Sequence, residues 1–567
     1  MSGRCPGAGA VGWRNGLAAV LLLFATAGNA ERLFVGILEA DSYQGMIYGA
    51  SAFSRVADLP MALELVQTAL GRAMEVPSLS GVSVQDTLRI VQTIDPALPL
   101  GDNNPANVAL VPLAGDGTAI REAFAAAYRK QTPCEPFTLF ENPVNTNLHP
   151  RVMMVPEGRH LLTSTSREAL HWAWKNRTHL LDAPLQSIPG TLRVLVNPQR
   201  FAELLDARNA KAAPLINTGK LLRDFETFSF SLTLDGQAFA VTVRGKPKAQ
   251  TGLDALAAAL RKPREQLWNG LPDQAFFAFL SACAAPGLWD NYLGEARFRF
   301  LRPYTGLAPQ EAYSGDRLLY LASTKDGRGI CFTQIEPVTQ AVQVAEAIRR
   351  LHTAGHDDGI VLTPQAARRV ADADVQTYAI DVKPQSDASG GKAGGGSPVF
   401  TLLSLFLKQA VLETAVARGH LITVLGPRGT IDDELSALSF PEKQLTLSRM
   451  INGQDPALTG PLVCGARLRV TNLLRHLVTI IPNVKPEQVR VLSAGGDGAT
   501  FGVSVGTDHV LTASLRFHSN EIAALQRINR SGRAVLQELF FQMFAKQMME
   551  MRSPESGETE IKSQNAR

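Results

Sequence analysis

Phe228-Ser-Phe-Ser-Leu-Thr-Leu-Asp235-Gly236-Gln-Ala-Phe-Ala-Val-Thr-Val243 decides the fold class of this 567-residue chain. Phe228, Phe230, Leu232 and Leu234 alternate with Ser229, Ser231 and Thr233, and beyond Asp235-Gly236 the residues Phe239, Val241 and Val243 alternate back. Side chains of a strand point by turns to its two faces, so a period of two marks a strand. Asp-Gly between two such runs is a strong hairpin signal. Leu253, Leu256 and Leu260 then switch to a helical spacing.

The same grammar recurs downstream. Val489 and Val491 lead to Gly496-Asp497-Gly498, read as a second hairpin turn, then to Phe501, Val503 and Val505 and a helical pattern at Ile522, Leu525 and Ile528. Upstream of the first hairpin, an apolar strand at Val152–Val155 is followed by Gly158-Arg159 and by Thr165-Ser-Arg-Glu168, which opens a helix containing Leu170. Its counterpart is Leu421–Leu425, Pro427-Arg428-Gly429 and Thr430-Ile-Asp-Asp433, opening a helix with Leu435. Both are Thr-x-x-acid boxes, whose hydroxyl and carboxylate can satisfy the free N–H groups of a helix start. Leu192, Val194 and Val196 precede a helix with Phe201, Leu204 and Leu205, as Leu462–Val470 precede Leu473, Leu474 and Leu477. Residues 30–38 resemble 273–280 as an opening strand.

Repetition in one order predicts an α+β fold of two tandem related lobes, each a mixed or antiparallel sheet with hairpins packed against helices. The first lobe is expected over 31–265 and the second over 270–551. Lys262-Pro263 and Gly270-Leu-Pro272 punctuate the boundary. Residues 383–398, rich in Gly and Ser, are expected to form a flexible surface loop, and the polar residues 552–567 a disordered tail.

Arg4 and Arg14 are the only charges before Glu31; an apolar run from Leu17 to Ala25 and small residues up to Ala30 follow them. This is the pattern of a secretory signal peptide, with Gly28 and Ala30 suited to the cleavage pockets, and its apolar run is shorter than the roughly 20 residues of a membrane span. Residues 1–30 are therefore expected to be removed and the protein exported, periplasmic or secreted, with no transmembrane span afterwards. Gly7, Gly9 and Gly12 spell G-x-G-x-x-G, but no strand precedes them and they fall in the leader, so no cofactor is expected. Taking Arg4 and Arg14 from the 56 basic residues leaves 54 against 52 acidic ones, too balanced to imply a nucleic-acid partner. Cys134, Cys283, Cys331 and Cys464 remain, which permits two disulfides in an oxidising compartment or buried free thiols.

Chemistry is sparsely marked. His352-Thr-Ala-Gly-His356-Asp357 is the sharpest metal candidate, since histidines four apart share a helix face, although Gly355 suits a helix end there. His149, His160, His171 and His179 crowd one stretch beside Trp172 and Trp174, where the tryptophans could line a ligand pocket. No nucleophile elbow or H-E-x-x-H motif occurs, so no catalytic residue is assigned. Asp432, Asp433 and Glu434 suit the positive end of a helix dipole. A helix expected from Ser519 to about Met551 carries Phe540, Phe541, Phe544 and Met548, an adaptable apolar surface for a protein partner, for self-association or for an acyl chain.

The opening strand at 33–38, the strand–Gly–helix block at 152–170 and the strand–Asn-Pro–helix at 192–205 resemble a broad set of uncharacterised exported bacterial envelope proteins with a duplicated α+β domain. With export expected and no catalytic motif in the chain, the first expectation is a non-enzymatic binding or assembly role at the cell envelope. A lipid or apolar-ligand carrier, and a hydrolase or metal-dependent enzyme, are the alternatives.

Overall fold

The computed structural model describes residues 33–59, 61–95, 105–145, 148–181, 190–209, 218–260, 275–282, 316–327, 329–350, 360–382, 410–437, 455, 458, 462–479, 496–506 and 508–532. The leader at 1–30, the boundary at 262–272, the loop at 383–398, the tail at 552–567, Cys283, Val489 and Val491 lie outside the described residues.

The fold is α+β, with twelve α-helices and one sheet of 21 strands among the described residues. The first ten strands are β1 (Leu33–Ala40), β2 (Leu88–Ile94), β3 (Ala106–Pro112), β4 (Tyr128–Cys134), β5 (Phe137–Pro143), β6 (Arg151–Glu157), β7 (His160–Ser164), β8 (Leu192–Val196), β9 (Phe225–Leu234) and β10 (Ala238–Pro247). The rest are β11 (Phe277–Ala282), β12 (Asp316–Ser323), β13 (Ile330–Pro337), β14 (Ile360–Pro364), β15 (Arg368–Val370), β16 (Ala373–Val382), β17 (Val411–Ala417), β18 (His420–Gly426), β19 (Leu462–Leu468), β20 (Ala499–Val505) and β21 (Leu511–His518). The helices are α1 (Tyr43–Ala57), α2 (Met61–Met74), α3 (Thr118–Ala127), α4 (Arg167–Lys175), α5 (Arg177–Leu181), α6 (Pro198–Asn209), α7 (Thr218–Arg223), α8 (Gly252–Ala259), α9 (Ala341–Arg349), α10 (Thr430–Ala437), α11 (Val470–Thr479) and α12 (Ser519–Arg527).

Every strand pairing is antiparallel. From β10 outward the order is β10-β9-β8-β1-β2-β3-β7-β6-β5-β4. From β21 outward it is β21-β20-β19-β11-β12-β13-β18-β17-β16-β14, with β15 also on β16. The two runs have the same order and meet where β10 pairs with β21, Ala238 opposite His518 through to Gly245 opposite Leu511. At the centre of that ladder Thr242 faces Ser514, and their buried hydroxyls lie 3.3 Å apart. A pseudo-twofold axis passes between them, so the sheet continues without a break from one half of the chain to the other.

Helices cross the same joint. Ser519, opening α12, donates its N–H to Gln237 O (2.8 Å) and its hydroxyl to Gly236 O (2.8 Å), in the β9–β10 turn. Reciprocally, Asp254 of α8 meets His509 in the β20–β21 turn at 3.1 Å, and Leu253 and Leu256 share a cluster with Leu511. Ile522 of α12 belongs to the main core of the first half, with Leu38, Phe53, Ile90 and Phe124. The opposite face of that half holds Ile37, Val91, Leu110 and Leu162 beneath Ala169 and Leu170 of α4. Covered on both sides, β3 is buried along its whole length.

One row of side chains shows how the halves differ. Arg89, Glu39 and Arg193 stand opposite one another on β2, β1 and β8. Glu39, 1% exposed, takes Arg89 Nε and Nη2 on one oxygen (both 2.8 Å) and Arg193 Nη1 on the other (2.7 Å). Across the axis the same register positions are Leu318, Leu280 and Gly465. An ionic triad on one side is thus an apolar pair beside a glycine on the other.

Three expectations about local structure are corrected. Gly496-Asp497-Gly498 is not a hairpin turn. Gly498 has φ +87°, and a Cβ there would lie 2.4 Å from Leu468 O, so it marks the tight approach of the chain into β20. The hairpin turns one strand later, over 506–510, where Gly506 N–H donates to Val510 O (2.9 Å). Gly158-Arg159 turns β6 into β7 rather than leading to a helix, which makes β7 the positional partner of β18. Neither threonine caps its helix. Ser166 accepts from Ala169 N–H (3.2 Å), and at α10 the Glu413 carboxylate of β17 accepts from Gly429 N–H (2.9 Å) and Ile431 N–H (3.4 Å). The Thr430 hydroxyl instead donates to Pro427 O.

The triad supplies a stability test. Glu39→Ala removes the buried carboxylate that two nearly buried guanidinium groups share, leaving Arg193 with Asp41 and Arg89 with the Leu180 and Leu181 carbonyls. It should cost up to about 3–5 kcal/mol, whereas Arg89→Leu, Glu39→Leu and Arg193→Met together should cost less than that single change. Urea unfolding of both variants checks this, and a near-neutral Glu39→Ala would contradict it.

Candidate binding faces of the central strands

Two rows run across the joint on one face of the sheet. Leu232, Val241, Leu515, Phe501, Ala466 and Phe279 stand opposite one another in turn; beside them run Leu234, Phe239, Phe517, Ala499, Leu468 and Phe277. Strand alternation predicts that this apolar face is the closed one. It is instead partly open: Leu515 is 38% and Leu468 39% exposed, and Phe239, Phe277, Phe279, Phe501 and Phe517 are half-buried. Phe53 of α1 covers part of the band, its ring 6.4 Å from Phe239.

The hydroxyl face is the one that is sealed. Ser231, Thr242 and Ser514 form a buried row, flanked by buried Ser229, Thr512, Ser504 and Thr500. At one end of this face Arg467, Thr500 and Arg516 stand side by side on β19, β20 and β21, with His518 two residues beyond Arg516. Arg516 is 8% and Arg467 7% exposed. Burial holds His518 below its ordinary range, Arg516 adds to that, and Asp497 and Asp455 act the other way.

Other polar groups are buried in each half. Beneath α10, the Glu434 carboxyl accepts from the Tyr320 hydroxyl and from Thr333 Oγ1 (3.4 Å), and burial pushes it up to about 7. The same burial, with Glu434 nearby, pushes the Cys331 thiol up to about 11. Arg368 links Asp432 and Glu413 at the start of that helix. In the first half, Glu75 is pushed up to about 8 by burial, opposed by a hydrogen bond from the Thr165 backbone.

The residues singled out by sequence fall as follows. His352, His356 and Asp357 lie outside the described residues, as do Phe540, Phe541, Phe544 and Met548. The described part of the C-terminal helix is α12, followed by a π-helical turn over Ile528–Gly532. Among the described residues no three His, Cys, Asp or Glu side chains gather as metal ligands would. Trp172 stacks on Phe34 (6.3 Å) and Trp174 meets Phe137 edge-on (6.4 Å), so both pack against the core under α4. His171 also meets Phe137, while burial lowers His149 and His160. Ser164 donates to Asn107 O (2.6 Å). Cys134, Cys331 and Cys464 are free thiols. Arg516, Thr500, His518 and Leu515 went unmarked; their only sequence signal is the even-numbered run Thr500, Gly502, Ser504 and Thr512, Ser514, Arg516, which looks like an outward face.

The raised carboxyls set a pH dependence. A carboxyl whose folded pKa exceeds its unfolded value near 4.5 favours the folded state fully only below that value. The contribution fades as pH rises, until about 7 for Glu434 and about 8 for Glu75. Each can supply a slope of up to about 1.4 kcal/mol per pH unit within its window. The lowered histidines act in the opposite sense below about 6.5, so each variant is compared with wild type at each pH. Glu434→Gln and Glu75→Gln should gain stability relative to wild type between pH 5 and pH 8 in urea titrations; a constant difference would contradict the raised values.

Comparison with protein-family models, with curated proteins and with solved structures finds no match to this chain.

Proposed function

We propose that this is an exported protein that works by binding a protein partner in assembly at the cell envelope, and that its halves derive from one duplicated α+β unit. The half-open phenylalanine band across the joint carries the binding reading. A sheet that closes its hydroxyl face and leaves Leu515 and Leu468 open keeps apolar surface where a partner would remove it from water. The band spans strands of both halves, so one partner would touch both at once. The repeated strand order supports duplication, as do His160-Leu-Leu-Thr163 and His420-Leu-Ile-Thr423, which occupy matching strands beside Pro112 and Pro337. The charge and small-residue pattern of residues 1–30 supports export.

The test uses the exposed leucine. Leu515→Arg should lower partner capture from the envelope fraction by at least tenfold while the melting temperature stays within a few degrees of wild type. The captured form should begin at Glu31. Unchanged capture by Leu515→Arg would overturn the binding face, and co-purifying acyl species in place of a protein would turn the reading to an apolar-ligand carrier. A full-length chain confined to the cytoplasm would overturn export.

A further inference from the structure

Among the described residues, three buried polar atoms on the sealed face have no hydrogen-bond partner: Arg516 Nε, Thr500 Oγ1 and His518 Nε2. Thr500 and Arg516 are direct cross-strand neighbours, and His518 follows two residues along β21 on the same face. Arg516 is more than nine-tenths buried, so its charge is largely withdrawn from water. Burying a guanidinium is costly unless an anion faces it, and an orphaned N–H adds a further penalty. Two neighbours of Arg516 are small: Ala240 stands opposite it on β10, and Ser514 precedes it by two. Arg467, across from Thr500, adds a second positive charge to the row. Asp455 and Asp497 act on His518 from nearby, and Asp497 is held by Asn520 Nδ2 at 2.6 Å.

We infer that Arg516, Thr500 and His518 form a binding site for a small phosphate-class oxyanion, free phosphate or the end of a phosphate monoester, on the closed face of β20 and β21. Arg516 supplies charge and the Nε donor, Thr500 a hydroxyl donor, and His518 a ring N–H when its proton is on Nε2. Charge-assisted hydrogen bonds of this kind are the stronger class, and Arg suits phosphate geometry. The site is peculiar to the second half. The register equivalents of Thr500 and His518 are Ser229 and Lys246, and that of Arg516 is Arg244, which is less buried. This inference goes beyond the binding reading and uses the opposite face of the sheet, so the two can fail separately.

Isothermal titration of the full exported chain with inorganic phosphate, and in a parallel arm with glycerol 3-phosphate, tests it. Binding in either arm that weakens at least tenfold in both Arg516→Gln and Thr500→Val is the expected result, and the arm that binds more tightly tells free phosphate from monoester. Circular dichroism checks the fold of each variant; if Arg516→Gln unfolds, Thr500→Val decides. No binding of either compound to the folded wild type, or equal affinity in a folded variant, overturns the site. Partner capture retained by Arg516→Gln would leave the binding reading standing whatever the titration shows.

Discussion

Eight residues of β10 pair with eight of β21, and the rest of the architecture hangs on that ladder. Strands from the middle and from near the end of the sequence lie side by side, so no hairpin turn brings them together; only the collapsed chain does. The pseudo-axis at Thr242 and Ser514 makes the contact self-complementary, like a twofold interface between two copies of a subunit. Exchange of α8 and α12 across the joint then ties the helix that follows each joint strand to the other half's hairpin. The first half does not complete its own core: Ile522 joins its main cluster, and Leu511 packs on Leu253 and Leu256.

What was legible in sequence was local. The Asp235-Gly236 hairpin formed as its alternation requires, with Asp235 Oδ1 accepting from Gln237 and Ala238 N–H. The short hairpin strand after Gly158-Arg159 was hidden because His160–Ser164, buried on both faces of a covered sheet, shows no alternation. Capping was misplaced at α10 because its carboxylate comes from Glu413, seventeen residues before Thr430 and on another element. No local pattern encodes such a donor. The strand order about the joint was likewise out of reach, since it depends on pairings separated by more than 250 residues.

The inverted burial of the central strands is the hardest feature to read from periodicity. Period-2 alternation reports that two faces differ, not which one water reaches. Here the hydroxyl face is closed, and its groups must find partners inside the protein or on a ligand. Thr242 and Ser514 find each other; Arg516, Thr500 and His518 do not. The same economy explains why the Arg89–Glu39–Arg193 triad can stand where Leu318, Leu280 and Gly465 stand in the other half. A buried ion pair with good geometry and an apolar pair of similar volume are close alternatives in free energy.

If the β10–β21 ladder is the central joint, the chain opens as one body. Native-state hydrogen exchange on the intact protein measures this directly, through the amides of Ala238–Gly245 and Leu511–His518. The account predicts that these amides exchange only by global unfolding, with the same free energy as β1 and β11 at the centres of the two halves. Exchange of β10 and β21 at a markedly lower free energy, while β1 and β11 stay protected, would show two bodies that merely touch and would contradict it.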